Sequence, residues 1–107
     1  MQRISQRAHA CIDFAAVNRA ALHLMPSLLA SLLPGGRREG SEYVALNPRR
    51  ADRHLGSFRI NLSTGRWADF ATEGARGGDP VSLLAYLAGV GQGEAARRLA
   101  GMVGIAP

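Results

Sequence analysis

The chain has 107 residues, 47% of them hydrophobic, a size that suits one compact domain and leaves little room for a second. Its 13 basic and 8 acidic residues give a formal charge of +5, which points toward a polyanionic partner. Every basic residue is arginine, and the lack of lysine excludes Schiff-base chemistry and a Walker-type phosphate loop ending in Gly-Lys-Ser/Thr.

Arginine's planar fork suits phosphate and base edges better than an ammonium does, although a GC-rich genome would produce the same bias. The single cysteine, Cys11, can form neither an internal disulfide nor a Cys-x-x-Cys metal knuckle, which fits a reducing cytoplasm. The apolar runs Leu28 to Leu33 and Val81 to Val90 fall far short of the ~20 residues of a membrane span, and Met1 to Ala10 leads into no signal-type apolar stretch. The expectation is a cytoplasmic chain without a membrane partner.

From Ile12 to Leu33 apolar residues recur at helical spacing, through Phe14, Val17, Ala21, Leu22, Met25, Leu28, Leu29, Leu32 and Leu33. Asp13 is a candidate N-cap, and Pro26 divides the stretch into two helical pieces, because proline is tolerated in a first turn and not in a helix interior. Pro34-Gly35-Gly36 ends the helical signal, and a polar loop is expected through Ser41. Glu42 to Leu46 is rich in strand formers and ends at Asn47-Pro48. The segment Pro48 to Gly56, with Arg49, Arg50, Arg53 and His54, reads as an exposed loop.

Ser57 to Leu62 alternates strictly, placing Phe58, Ile60 and Leu62 on one face and Arg59 and Asn61 on the other. Ser63-Thr64-Gly65 supplies a turn and Arg66 to Phe70 the returning strand. After a glycine-rich loop from Thr72 to Gly78, Asp79-Pro80-Val81 is a strong helix start, with Leu83, Leu84 and Leu87 as the buried stripe. That helix should stop near Gly89 to Gly91. A last helix, Glu94 to Val103, faces Ala95, Leu99 and Val103 inward and Arg97 and Arg98 outward, with Gly104 as its cap. The predicted fold is α+β: a single domain over 1–107, with an N-terminal helical segment (1–36), a small antiparallel sheet of about three strands, and C-terminal helices.

No catalytic constellation emerges, and the chain reads as non-enzymatic. A metal site drawn from His9, Cys11, His23 and His54 lacks the short paired spacing of zinc ligands. The loop Glu73 to Asp79 resembles a phosphate cradle, but Asp79 at the cap would repel an anion, and a purely structural loop is the better reading. The excess charge concentrates between Arg37 and Arg66. Arg59 and Asn61 define a basic, partly polar sheet face. Trp67 or Tyr43 would provide a stacking surface of the kind used for single-stranded nucleic acid; the alternative is that Trp67, Phe58 and Phe70 form the small core while the arginines solvate the surface.

Five segments carry a resemblance in order and spacing: Gly40 to Pro48, Ser57 to Leu62, Gly65-Arg66-Trp67, Gly77 to Leu84, and Glu94 to Ala100. Over residues 40–105 the chain resembles the N-terminal zinc-ribbon domain of bacterial, phage and plasmid DNA primases, in a degenerate form. Where that family has a Cys-Pro-x-His pair this chain has Asn47 and Arg50, and where it has a Cys-x-x-Cys pair the chain has approximately Ala71 and Gly74, none of which binds zinc. Gly65 to Thr72 looks like the cysteine-free version found in some primase-helicase proteins of mobile elements. The resemblance therefore implies a metal-free, zinc-ribbon-like sheet held by its apolar core, with no cofactor.

Primases of the family synthesise primers in a separate catalytic domain that this chain has no room for. What the resemblance implies here is template binding, placed on Arg59, Arg66 and Trp67 with Arg49, Arg50 and Arg53 as phosphate contacts. The expected role is a single-stranded DNA-binding accessory module for replication of a phage, plasmid or integrated mobile element. The alternative is a docking subunit for a replicative helicase, primase or polymerase that touches nucleic acid little, with the Leu28 to Leu33 helix as its apolar surface. A regulator using a major-groove helix fits less well, because the arginines cluster on strands and loops.

Overall fold

The computed structural model describes residues 12–105, and within them the apolar periods of the sequence become four helices and one five-stranded antiparallel sheet. Helix α1 (Phe14–His23) starts where Asp13 accepts a 3.0 Å hydrogen bond from the Ala16 N–H. It ends at Leu24, and α2 (Met25–Leu32) begins at once, with Pro26 in the first turn, where its missing N–H costs nothing. Val17, Ala21, Met25, Leu28, Leu29 and Leu33 form the buried stripe of this helical pair, whereas Phe14 faces solvent.

Strand β1 (Arg37–Glu39) turns through Gly40, at φ +62°, into β2 (Glu42–Ala45). A hairpin follows, β3 (Phe58–Asn61) and β4 (Trp67–Asp69), and then β5 (Arg76–Gly77). The strands lie side by side in chain order, each antiparallel to the last. Two of the five, β1 and β5, fall where the sequence predicts loops. Both are short edge strands whose residues are charged or glycine, so neither carries an alternating apolar pattern, and charge on an edge discourages pairing with another chain.

One sheet face carries Tyr43, Ala45, Phe58, Ile60 and Trp67, all buried. Helix α3 (Pro80–Ala88) lies over it: the Trp67 and Tyr86 rings are 4.9 Å apart, and Phe58 meets Trp67 edge-on at 6.3 Å. A capping box between Asp79 and Ser82 starts α3, and Gly89 in the left-handed conformation ends it. Helix α4 (Gln92–Val103) ends the same way at Gly104 and packs on α3 and α1 through Ala95, Ala96, Leu99 and Ala100. The first helical pair is tied to the rest at two points. Asn18 Oδ1 accepts from the Val81 N–H at 2.9 Å, and the Tyr43 hydroxyl donates to the Leu33 carbonyl at 2.8 Å. Leu87 is only half-buried, unlike Leu83 and Leu84. No helix among the described residues is long and apolar enough to cross a membrane.

Candidate nucleic-acid interface

With the helices on one side, the described residues leave the opposite sheet face open. The register aligns Arg37, Val44, Arg59, Ala68 and Arg76 in one row across all five strands. Glu39, Glu42 and Asn61 form the next row, and the Asn61 N–H donates to the Arg66 carbonyl at 2.7 Å. Val44 is fully buried although it belongs to this face and lies outside the main core, with Arg37 and Arg59 as its cross-strand neighbours.

The charges on this face divide into two halves. On β1 to β3 the Arg37 guanidinium meets Glu39 at 2.9 Å, and Arg59 contacts Glu42 at 3.1 Å and Glu39 at 3.3 Å. Hydrogen bonding to Glu42, then its attraction to Glu39, holds the Arg59 guanidinium above its ordinary pKa, while the Arg37 contact holds Glu39 below its own. Just before β4 and on β5, Arg66 and Arg76 are exposed and make no ion pair with a described residue. Two cations paired with two carboxylates thus lie beside two cations that make no ion pair among the described residues.

Phe70 projects beside the unbalanced pair with 76% of its surface exposed. Together with Glu42, Arg59, Asn61, Arg66, Ala68 and Arg76 it lines an open depression of about 390 Å³. An exposed aromatic sharing a depression with arginines that make no ion pair among the described residues has the chemistry to stack a base and hold the adjoining phosphates.

The six residues singled out in the sequence fall into different places. Arg59 and Arg66 reach the open face. Trp67 does not: the residue is 5% exposed, and its indole N–H donates to Ser82 Oγ at 3.0 Å, so it is a core residue rather than a stacking platform. Arg49 lies with its guanidinium 5.9 Å from the Tyr86 ring centre on the helical side. Arg53 is exposed on the loop between β2 and β3. Arg50 is engaged internally, donating to Asp69 at 2.7 Å and to Ser57 Oγ at 2.7 Å.

Around that last contact lies a buried polar clamp. Asp69, whose carboxylate has no exposed surface, also accepts from Asn47 Nδ2 at 2.8 Å and from the Ala71 N–H at 2.9 Å. Asn47 in turn donates to the Tyr86 hydroxyl at 2.8 Å. Burial pushes the Asp69 carboxyl upward, but the hydrogen bonds from Arg50, Asn47 and Ala71 outweigh it and hold the group well below the usual carboxylate range. The clamp joins the loop after β2 to the end of β4.

Phe70 and Arg76 are the residues that sequence reasoning missed. The signal for Phe70 is present: Trp67 and Phe70 are three positions apart, so on an extended strand they cannot share a face. Arg76 carries no such signal inside a glycine-rich segment. The cradle-like Glu73 to Asp79 loop offers no anion site, since the Ser82 N–H is bonded to Asp79 and the Val81 N–H to Asn18, while Pro80 has no donor. Of the metal-site candidates, His9 and Cys11 lie outside the described residues, and among the described residues no group of three or more His, Cys, Asp or Glu side chains is placed to hold a metal ion. Comparison of the chain with models of known protein families, with curated proteins and with solved structures finds no match.

Proposed function

We propose that the chain is a non-enzymatic cytoplasmic module that binds single-stranded DNA across its open sheet face and assists primase- or helicase-type replication of a phage, plasmid or integrated element. The observation that carries the reading is Phe70, exposed beside Arg66 and Arg76, because a strand with unpaired bases is the polyanion that offers such a surface both a π-face and a phosphate. The resemblance to the primase zinc ribbon adds support at a second place. Of the four positions where that family carries metal ligands, Asn47, Arg50 and approximately Ala71 belong to the clamp around Asp69, and Gly74 does not. A polar cross-link there is a substitute for a zinc ion in joining the two loops.

The test is a titration of labelled single-stranded, duplex and RNA oligonucleotides over a range of salt. Single-stranded DNA should bind, and Arg66→Ala and Arg76→Ala should each flatten the dependence of log K on log salt by about 0.7. Wild-type protein with no affinity for single strands at low salt overturns the reading.

A docking role has one observation in its favour. Leu28, Leu29 and Leu33, the apolar surface expected from the sequence, are buried, but Leu24 and Met102 are 43% and 46% exposed beside a groove lined by Leu28 and Val103. Co-purification with a replication protein that is abolished by Leu24→Ser and Met102→Ser, with no binding of single-stranded DNA, would establish it instead.

A further inference from the structure

Phe70 borders two hollows. With Ala68 and Arg76 it lines the depression that runs toward Glu42 and Arg66, and the same three residues line a second one, of about 390 Å³, over the Ala71 to Ala75 loop. Phe70 is thus a common wall, and it is 76% exposed. Ligand sites run from about 300 Å³ upward, so each hollow has room for a base.

The charges follow the same division. Arg76 lines both hollows, is exposed and makes no ion pair among the described residues. Each hollow also holds one glutamate that the other lacks, Glu42 in the first and the exposed Glu73 in the second. Arg59 brings no available cation to the first hollow, because its Nε donates to the Gly56 carbonyl at 2.8 Å and its other two nitrogens to Glu42 and Glu39 at 3.1 and 3.3 Å. A phosphate is therefore favoured at Arg76 and repelled by the glutamates, whose carboxylates accept instead from the N–H groups of a base edge.

One phosphodiester joins two successive bases, and this surface sets one available arginine and one aromatic ring between two hollows. Resting on the single-strand reading above, we propose that Phe70 is a wedge between two adjacent bases. One base lies in each hollow against the ring, and Arg76 holds the phosphate that joins them. The site therefore takes a dinucleotide step whose bases are unstacked from each other, as apolar side chains inserted between base steps do elsewhere.

The experiment compares two labelled thymidine strands of equal length, one intact and one with every second base removed. Both carry the same phosphates, but the second offers no two adjacent bases. At low salt, where Arg66 and Arg76 keep binding measurable in either protein, wild type and Phe70→Ala are titrated with each strand, and circular dichroism verifies the fold. Wild type should bind the alternating strand about fivefold or more weakly, the loss of one stacked base, while Phe70→Ala should bind the two strands within about twofold of each other. A wild-type loss smaller than about fivefold overturns the wedge, and so does a difference above about twofold in Phe70→Ala, while single-strand binding itself stands. A wild-type protein that binds no intact strand overturns the wedge together with the interface on which it depends.

Discussion

Arg50 and Asp69, nineteen residues apart in the chain, are joined by a 2.7 Å hydrogen bond from the guanidinium Nε to a carboxylate that has no exposed surface. The guanidinium keeps about a third of its side chain in water, so the pair combines a fully desolvated anion with a cation that is still partly hydrated. Breaking it from the two sides should therefore cost different amounts. Asp69→Ala removes the acceptor shared by Asn47, Arg50 and the Ala71 N–H, leaving Arg50 only Ser57 and Asp52, and should destabilise the protein by about 3 kcal/mol or more. Arg50→Ala leaves Asp69 still bonded to Asn47 and Ala71 and should cost about 1.5 to 3 kcal/mol. Urea denaturation midpoints of the two variants give the comparison, and a larger loss for Arg50→Ala would contradict the asymmetry.

The same carboxylate should govern stability in acid. Its folded-state pKa is depressed, so the unfolded chain takes up the proton first. The stabilisation is then complete above the ordinary carboxylate value, about pH 4, and is lost progressively as pH falls below it. Asp69→Asn removes the titrating group and should lower stability at neutral pH while flattening the acid limb. Because Glu39 and Glu94 are also held below their ordinary values by arginine contacts, the informative quantity is the difference between wild type and Asp69→Asn as a function of pH. A difference that stays constant from pH 7 to about pH 2 would exclude Asp69 as the source.

The two aromatic residues of β4 and its end should separate binding from folding. Phe70→Ala removes a ring that is 76% exposed and should leave the denaturation midpoint within about 0.5 kcal/mol of wild type, while weakening single-stranded DNA binding by about 1 to 3 kcal/mol. Trp67→Ala removes a buried indole packed against Phe58 and Tyr86 and should cost about 3 to 5 kcal/mol of stability. Fluorescence anisotropy with a labelled oligonucleotide, alongside urea denaturation, reads both properties. The assignment fails if Phe70→Ala binds as wild type does.

Gly77 is required for a different reason from the glycines that turn the chain. Its backbone needs no left-handed conformation, but a Cβ at this position would overlap Ser82 Oγ and the Trp67 indole nitrogen. These two atoms are hydrogen-bonded to each other, and the bond anchors α3 to the sheet. Gly77→Ala should therefore cost about 1 to 3 kcal/mol through overpacking and shift the Trp67 emission as the indole N–H loses its partner. An unchanged emission spectrum and midpoint would show that the helix can move aside.

Helix positions and strand faces were legible in the sequence because they depend on local chemistry. Asp13 and Asp79 as caps, Pro26 and Pro80 in first turns, Gly89 and Gly104 as stops, and the Phe58 and Ile60 alternation each follow from the period of the chain or the dihedral freedom of one residue. The α+β class and the hairpin from Phe58 to Asp69 rest on the same signals. The edge strands β1 and β5 were not legible, since backbone pairing alone defines them and their side chains carry no apolar period.

The composition also determined that the surface would carry excess arginine, but the number of arginines does not say which are available. Tertiary structure decided that, because ion pairing depends on cross-strand register and on segments far apart in the chain. Arg50 is consumed by a carboxylate nineteen residues away, Arg59 by Glu39 and Glu42 on neighbouring strands, and Arg66 and Arg76 are left without a described counter-charge. Covering one face of the sheet with α3 likewise drew Trp67 inward and, through the two-residue period of the strand, turned Phe70 out to solvent.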